Sequence, residues 1–251
     1  MPTPTIAVAI PCYNEAPALA TVVAAWRSSL PEAQLVVFDN NSADGTGAVA
    51  RGLGVRVVDV PEQGKGHAVR AIFHILRDVD VLILVDGDGT YPAEEARRLV
   101  APILDGSAEM VVGARRPVAE LGAMSPVRGI GNVLIRLAFR VLIGGSGGDL
   151  LSGYRAFSRR FRAEVSPRST GFEIEAELAS EAVARGYQVV EVPVPYRPRV
   201  AGTASKLRAF RDGRRILGAI ARQAARHRPG RLAGLAAAVV AVIVAGWIFL
   251  K

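Results

Sequence analysis

Short apolar runs alternate with amphipathic stretches over the first half of the chain. The runs are rich in β-branched residues and predict β-strands at 5–10, 34–38, 55–58, 81–85 and 109–112. The stretches between them have helical spacing and predict helices over 16–30, 45–53, 64–78 and 92–104. This alternation is typical of a mainly parallel sheet with helices on both faces. The sequence therefore predicts an α/β fold.

Two later segments combine apolar residues with basic ones at helical spacing. The segment 124–143 has Arg128, Arg136 and Arg140 in register with Asn132, and 207–223 repeats the design. A cationic stripe on an apolar helix is typical of a helix that lies in a membrane interface. A packed helix with a solvated charged face gives the same pattern, so for each segment alone both interpretations stay open.

The basic residues are concentrated near the end of the chain. The net charge is +8, but residues 1–196 contain 19 Lys and Arg against 22 Asp and Glu. Residues 197–231 contain 11 against 1. Such a block attracts phosphates, either of nucleic acid or of anionic lipid.

The segment that follows the basic block favours lipid. Residues 232–250 contain no charge, and as a helix they would span roughly 28 Å, close to the thickness of a bilayer core. The arginines before them and the single Lys251 after them predict a main domain on the cytoplasmic side of a cell membrane, anchored by one transmembrane helix. A buried core helix is the alternative. Because apolar residues interrupt the basic block, no nucleic-acid partner is expected.

The start of the chain and its cysteine content add little. The N terminus has no basic region followed by an apolar one, which argues against export of the domain. Cys12 is the single cysteine, and we interpret it as a small apolar residue at a strand end.

Polar motifs follow four of the predicted strands. They are "PCYNE" after the first strand, "DNNSADGT" after the second, "DGDGT" after the fourth and Arg115–Arg116 after the fifth. Ligands of open α/β sheets bind beyond the carboxyl ends of the strands, so these motifs predict a single site.

The triplet Asp86-Gly87-Asp88 places two carboxylates side by side. They would repel each other unless a cation lies between them. Carboxylate oxygens are hard ligands that suit Mg²⁺ or Mn²⁺, with diphosphate oxygens completing the coordination. A plain Asp-Gly turn is the alternative. We predict that Asp86 and Asp88 bind the metal.

Seven motifs in chain order resemble one family. "IPCYNEAPAL", "DNNSADGT", "EQGKGHAVR", "LVDGDGTYPAE", "VVGARR", "LSGYRAFSRRF" and "TASKLRAFRDGRRIL" are similar to GT-A glycosyltransferases of family 2, in particular the dolichyl and polyprenyl-phosphate sugar synthases. The resemblance covers about residues 5–220. It implies a GT-A fold and inverting, metal-dependent transfer of a hexose from a nucleotide-sugar to a polyprenyl phosphate.

The resemblance also implies which residues bind the nucleotide-sugar. They are Pro11, Tyr13, Glu15, Asp39, Lys65, Asp86, Gly87 and Asp88. Glu15 could instead cap a helix, Asp39 could cap a turn, and Lys65 could be a solvated turn residue.

Basic residues are implied on the phosphate side. Arg115 and Arg128 match positions that hold the acceptor phosphate, and Arg155 and Lys206 are expected to reach phosphates from the other side. With Asp88 they form the implied catalytic set. Glu173 and Glu175 lie at a predicted helix start, where one is expected to face the site. Thr90 departs from the relatives that have Gln at this position, which affects metal preference.

The family motifs, the basic block and the apolar tail together divide the chain into three expected parts. A catalytic domain covers 1–200 and includes the 124–143 helix, a basic amphipathic helix covers 201–228, and a transmembrane helix covers 232–250. Membrane lipids are expected partners, and UDP-sugars are favoured over GDP-sugars as donors.

The alternative functions are transfer to another lipid or to a soluble acceptor, processive polysaccharide synthesis, and a non-catalytic membrane adaptor. Polysaccharide synthases have a Gln-X-X-Arg-Trp motif, and neither Trp26 nor Trp247 lies in one.

Overall fold

A seven-stranded sheet forms the centre of the molecule. The structure is a computed structural model that describes residues 3–117, 126–206, 208–235 and 237. The strands are β1 Ile6–Cys12, β2 Gln34–Asp39, β3 Arg56–Asp59, β4 Val81–Leu84, β5 Met110–Pro117, β6 Arg155–Ser158 and β7 Val189–Tyr196. Their order is β3-β2-β1-β4-β6-β5-β7. Of these strands, β6 runs antiparallel to β4 and β5, and the other pairs are parallel. The predicted α/β fold with a mainly parallel sheet is confirmed.

Helices pack on the sheet and against one another. They are α1 Ala16–Ser29, α2 Thr46–Gly52, α3 Lys65–Ile75, α4 Ala96–Leu104, α5 Pro126–Leu142, α6 Arg159–Glu164, α7 Ile174–Ala184 and α8 Ala209–His227. A 3₁₀ turn, Ala93–Glu95, precedes α4. Local chemistry sets several ends: Pro17 lies in the first turn of α1, and the Ser158 hydroxyl accepts a hydrogen bond from Phe161 N (3.0 Å) at the start of α6.

The central strand β1 is buried on both faces. Ile6, Val8 and Ile10 pack in one core cluster with Trp26, while alternate residues of the same strand pack in a second cluster that contains Phe38. Period-two alternation thus divides one strand between two cores. Burial on both faces explains why the sequence here is a continuous apolar run.

Sequence patterns identified the first half of the fold better than the second. The five predicted strands and four predicted helices are all present, with ends shifted by a few residues and β5 extended to Pro117. The strands β6 and β7 and the helix α6 were not predicted. In β7, Glu191 and two prolines interrupt the apolar residues, and this weakens the strand pattern that marks the central strands.

A third core cluster joins three helices beside the sheet. Ile135 and Phe139 of α5 pack with Ala176 of α7 and with Ile216 and Ile220 of α8. Both predicted amphipathic helices therefore form, and each buries one face in the domain. The predicted division between 1–200 and 201–228 remains a prediction.

The predicted transmembrane segment 232–250 lies mostly outside the described residues. Within the described ranges, no helix is both long enough and apolar enough to cross a bilayer.

Candidate active site

A cleft of about 720 Å³ opens at the carboxyl ends of β1 and β4. Most of the predicted site residues line it: Pro11, Tyr13, Glu15, Lys65, Asp86, Gly87, Asp88, Arg115 and Lys206. Parallel strands β1 and β4 bring "PCYNE" and "DGDGT" to the same sheet edge. The remaining residues arrive from loops far apart in the chain.

The two aspartates follow β4 and differ in their surroundings. Asp88 is buried, its Oδ1 accepts hydrogen bonds from Thr90 N (3.0 Å) and Thr90 Oγ1 (2.6 Å), and its Oδ2 pairs with Arg199. Asp86 is half-buried, and its Oδ1 accepts from Lys65 Nζ (2.6 Å). Cations from separate parts of the chain therefore balance the two negative charges.

Thr90 has a defined role that its position in the sequence did not reveal. Its hydroxyl is directed at Asp88 and fixes the orientation of that carboxylate. A group that orients a candidate metal ligand in this way tunes metal affinity without touching the metal.

Lys65 lies between two carboxylates at the floor of the cleft. Its Nζ is 2.6 Å from Asp86 Oδ1 and 2.5 Å from Glu175 Oε1. Burial by itself lowers the pKa of Lys65, but the two carboxylates outweigh it and hold the pKa well above the ordinary value. Burial raises the pKa of Glu175, and Lys65 opposes that shift. The solvated-turn alternative for Lys65 does not hold in the structure.

The glycines on either side of Lys65 permit a close backbone contact. A Cβ on Gly66 would lie 2.0 Å from the carbonyl oxygen of Ser169, and Gly64 has a φ of +139°. This packing brings the start of α3 against the loop before α7, and Glu175 lies in the first turn of that helix. The glycines thus assemble the Lys65–Glu175 pair.

Lys206 connects the start of α8 to the loop after β1. Its Nζ donates to Glu15 Oε1 (2.8 Å) and to the carbonyl of Asn14 (2.9 Å). Burial raises the pKa of Glu15, although Lys206 opposes the shift. Glu15 Oε2 is buried and has no hydrogen-bond partner among the residues that the structure describes. The side chain of Glu15 makes no capping bond to α1, so the capping alternative is not seen.

Arg115 is held by a fork of hydrogen bonds at the end of β5. Its Nε and Nη2 donate to Asp149 Oδ2 (2.7 Å) and Oδ1 (2.6 Å), and its guanidinium lies 5.5 Å from the centre of the Tyr196 ring. Burial alone raises the pKa of Asp149, but Arg115 outweighs it and lowers that pKa. Arg115 therefore stands at the cleft wall in a fixed orientation.

Arg155 corrects the sequence prediction. It is 0% exposed, and its guanidinium donates to the backbone carbonyls of Leu150 (2.6 Å) and Ser152 (3.1 Å). It belongs to the antiparallel strand β6 and is not among the described residues that line the cleft. Its observed role is to hold the loop before β6, rather than to reach phosphates.

Asp39 and Arg128 also differ from the predicted set. Asp39 is absent from the cleft lining, and its Oδ1 accepts from Ser42 N (3.2 Å), which is the turn-capping alternative. The side chain of Arg128 lies outside what the structure describes. Its residue falls in the first turn of α5.

Sequence reasoning missed several residues that the fold brings to the cleft. They are Tyr91, Tyr196, Arg199, Arg208, Arg211 and Asp212. Arg199 and Tyr196 come from the end of β7 and the loop after it, and the unpredicted β7 explains why they were missed. The buried carboxylate of Asp212 accepts from Arg208 N (2.6 Å) and so caps α8.

Helices α5 and α8 form the side of the cleft furthest from the sheet. Asn132 and Ile135 of α5 line it, as do Arg211 and Arg215 of α8. Next to these residues the helices expose large apolar side chains: Val133, Leu134, Leu137, Val141, Phe210 and Leu217. Phe210 is 85% exposed and Leu134 57%. A charged cleft therefore opens beside an apolar surface that is rimmed with arginine.

The acidic pair suits a divalent metal that other groups help to hold. Two carboxylates lie one residue apart at a strand end, and their oxygens are the ligands that Mg²⁺ and Mn²⁺ prefer. Gly153 lets the loop before β6 pack closely against Asp86, since a Cβ there would lie 2.1 Å from Asp86 Oδ2. Among the described residues, no group of three His, Cys, Asp or Glu side chains could hold a metal. Diphosphate oxygens or water would complete the coordination of a metal held by this pair.

Comparison with known proteins gives the family and the fold. Residues 7–159 match the model of "Glycosyl transferase family 2". The chain is 36% identical over 230 residues to glycosyltransferase AglJ of Haloferax volcanii, covering 91% of this chain and 75% of the relative. It is 32% identical over 212 residues to a dolichyl-phosphate hexose transferase of the same organism, covering 84% and 90%.

Two further comparisons concern a mycobacterial relative and a solved structure. The chain is 31% identical over 218 residues to polyprenol monophosphomannose synthase of Mycolicibacterium smegmatis, covering 81% of each. The structure of glucosyl-3-phosphoglycerate synthase from Mycobacterium tuberculosis with Mn²⁺ and UDP-glucose superposes with a TM-score of 0.70 at 22% identity, covering 88% of this chain and 79% of that one. The predicted GT-A fold is confirmed.

Proposed function

Because the chain belongs to glycosyl transferase family 2, we propose that it transfers a hexose from a nucleotide-diphosphate sugar to a polyprenyl phosphate, with inversion at the anomeric carbon. One observation carries the proposal. The cleft has an acidic pair suited to metal and diphosphate at the sheet edge, and an arginine-rimmed apolar surface on α5 and α8 at the other side. The names of the lipid-phosphate relatives support the same acceptor.

The donor lies at the sheet edge in this proposal. Pro11, Tyr13 and Glu15 line the nucleoside end, and Lys65 lies beside Asp86 near the diphosphate. Asp86 and Asp88 would hold a Mg²⁺ or Mn²⁺ ion, which would supply positive charge to stabilise the nucleotide diphosphate as it leaves. UDP-sugars are the donors we favour over GDP-sugars.

The acceptor phosphate needs no strong general base. Its second pKa is near 6, so at neutral pH it is already largely a dianion. The work of the protein is to hold phosphate and anomeric carbon in line. Arg115 suits this task because Asp149 fixes its guanidinium, and α8 adds Arg208, Arg211 and Arg215 along the cleft. Forked guanidinium donors match phosphate oxygens.

The polyprenyl chain remains in the membrane in this proposal. Leu134, Leu137 and Phe210 are exposed beside the cleft, where they can enter the lipid interface while the arginines meet lipid phosphates. We also propose that residues 232–250 anchor the domain on the cytoplasmic side of the cell membrane. Deleting 232–251 is then expected to weaken vesicle binding without abolishing it, as measured by co-sedimentation.

A radiolabel assay tests the proposal directly. The full chain in detergent micelles is incubated with polyprenyl phosphate, Mn²⁺ and each of a panel of labelled UDP- and GDP-sugars. The expected result is label in the organic phase, dependent on both polyprenyl phosphate and metal. Label transferred only to water-soluble acceptors would favour the soluble-acceptor alternative. Donor binding without transfer to either class would favour the non-catalytic adaptor.

A further inference from the structure

Arg199 lies in the segment after β7 and lines the cleft beside Asp88. Residues 197–206, which we term the strap, connect β7 to α8. The strap is anchored by Arg197 N, which donates to the Thr90 carbonyl (3.0 Å), and by Val200 N, which donates to the Asp88 carbonyl (3.2 Å). Arg199 is therefore held beside the same short segment that carries Asp88.

Both carboxylate oxygens of Asp88 are engaged. Thr90 donates to Oδ1 from its backbone and its hydroxyl, and the Arg199 guanidinium pairs with Oδ2. The Asp88 side chain is 3% exposed, whereas that of Arg199 is 31% exposed. The carboxylate is fixed, and the guanidinium is the member of the pair that has room to move.

We propose that Arg199 competes with the divalent metal for Asp88. This inference rests on the proposed function, because it takes Asp88 as a metal ligand. A metal that binds Oδ2 must displace the guanidinium, since one oxygen cannot keep both cations at contact distance without strong repulsion. Arg199 thus neutralises a buried carboxylate that would otherwise be costly. The Arg199–Asp88 ion pair therefore lowers the affinity of the site for a metal ion that binds without nucleotide.

The competition also links metal binding to the strap. Arg199 lines the cleft together with Tyr196 and Lys206, so a displaced guanidinium would remain within reach of bound ligands. A nucleotide diphosphate offers anionic oxygens to receive it. Metal and diphosphate together can therefore replace the ion pair more readily than metal alone. Arg199 is a positioning residue in this account, because it acts through Asp88.

Metal binding without nucleotide provides the test. Mn²⁺ is titrated into the full chain in detergent micelles, and free Mn²⁺ is measured from its electron paramagnetic resonance signal. We expect Arg199→Gln to bind Mn²⁺ at least about tenfold more tightly than the wild type, since a nearby opposite charge shifts a carboxylate equilibrium by roughly one to three log units. Arg199→Lys keeps the charge and is expected to stay within about threefold of the wild type.

Two controls separate local competition from general charge. Arg197→Gln removes the same charge two residues away, where the side chain pairs with Glu94 and is 49% exposed, and it is expected to leave Mn²⁺ binding unchanged. In an Asp88→Asn background, the effect of Arg199→Gln is expected to disappear, because the shared partner is lost. Thermal unfolding confirms that each variant is folded.

Several outcomes overturn the inference. Unchanged or weaker Mn²⁺ binding by folded Arg199→Gln does so, as does an equal gain in Arg197→Gln. If the wild type forms lipid product while Arg199→Gln leaves Mn²⁺ affinity unchanged, the inference fails and the proposed function stands. If no lipid product forms and neither protein binds Mn²⁺, both fail.

Discussion

The sheet edge and the α5–α8 surface face the same cleft but are built on opposite principles. At the sheet edge, the candidate metal ligands are paired: Asp86 with Lys65, and Asp88 with Arg199. On the α5–α8 surface, large apolar side chains and arginines are exposed. A site for a soluble, highly charged donor can be preorganised by internal ion pairs. A surface for a lipid acceptor must leave its apolar groups open until the bilayer covers them.

The largest expected effect comes from breaking the acidic side. We predict that Asp88→Asn lowers transfer at least about a hundredfold, because the proposed metal would lose a charged ligand and would stabilise the leaving diphosphate less well. Transfer of labelled sugar into the organic phase measures the loss. Thermal unfolding should show a folded protein, since the amide keeps the shape of the carboxylate. Unchanged, chelator-insensitive turnover in this variant would remove the metal from the proposal.

The second prediction concerns stability and the Arg115–Asp149 ion pair at the cleft wall. We predict that Asp149→Asn lowers the free energy of unfolding by about 3 kcal/mol at neutral pH, because it leaves a largely buried guanidinium without its counterion. Urea unfolding measures the change. Asp59→Asn is a matched control in the exposed Arg51–Asp59 pair and should change the free energy of unfolding by less than about 0.5 kcal/mol.

The pH dependence of the same pair has a definite sign. The pKa of Asp149 is lowered from its ordinary value of 3.8 by folding, so its stabilising effect is fully present above pH 3.8. The effect is lost as the pH falls through the lower pKa of the folded state. The difference in unfolding free energy between wild type and Asp149→Asn should therefore shrink in acid. A difference that grows on acidification would contradict this assignment.

A smaller effect should distinguish membrane binding by the α5–α8 surface from sugar transfer in the cleft. We predict that the double variant Leu134→Ser, Leu137→Ser weakens binding to anionic vesicles roughly tenfold, since two exposed leucines no longer enter the interface. Transfer to a short-chain, water-soluble prenyl phosphate should be unchanged. Leu104→Ser, on α4, removes a comparably exposed leucine and should leave vesicle binding unaltered. Equal losses in both variants would argue against a specific lipid surface.

The last prediction concerns the hydroxyl of Thr90, which orients Asp88 at the sheet edge. We predict that Thr90→Val weakens Mn²⁺ binding about tenfold, because Asp88 loses the hydroxyl that orients it. Thr90→Ser keeps the hydroxyl and should restore the affinity. Mn²⁺ titration compares the two variants. If both bind Mn²⁺ equally, the hydroxyl has no part in orienting the carboxylate.

The sequence by itself determined the half of the fold that repeats a simple pattern. Strands that are buried on both faces have continuous apolar sequences, and the helices between them have apolar residues at helical spacing. The polar motifs at strand ends followed, because parallel strands bring their carboxyl ends to one edge. This reasoning located Asp86, Asp88 and Glu15 at the sheet edge. The two amphipathic helices were visible for the same reason, since their spacing is local.

Tertiary structure alone decided which charges meet. Both Arg155 and Arg199 are arginines, yet Arg155 is fully buried on the antiparallel strand β6, whereas the strap after β7 carries Arg199 to Asp88. Lys65 and Glu175 are 110 positions apart and meet because two glycines allow α3 to approach the loop before α7. Such pairings depend on strand direction and loop paths across the whole chain, and local spacing contains neither.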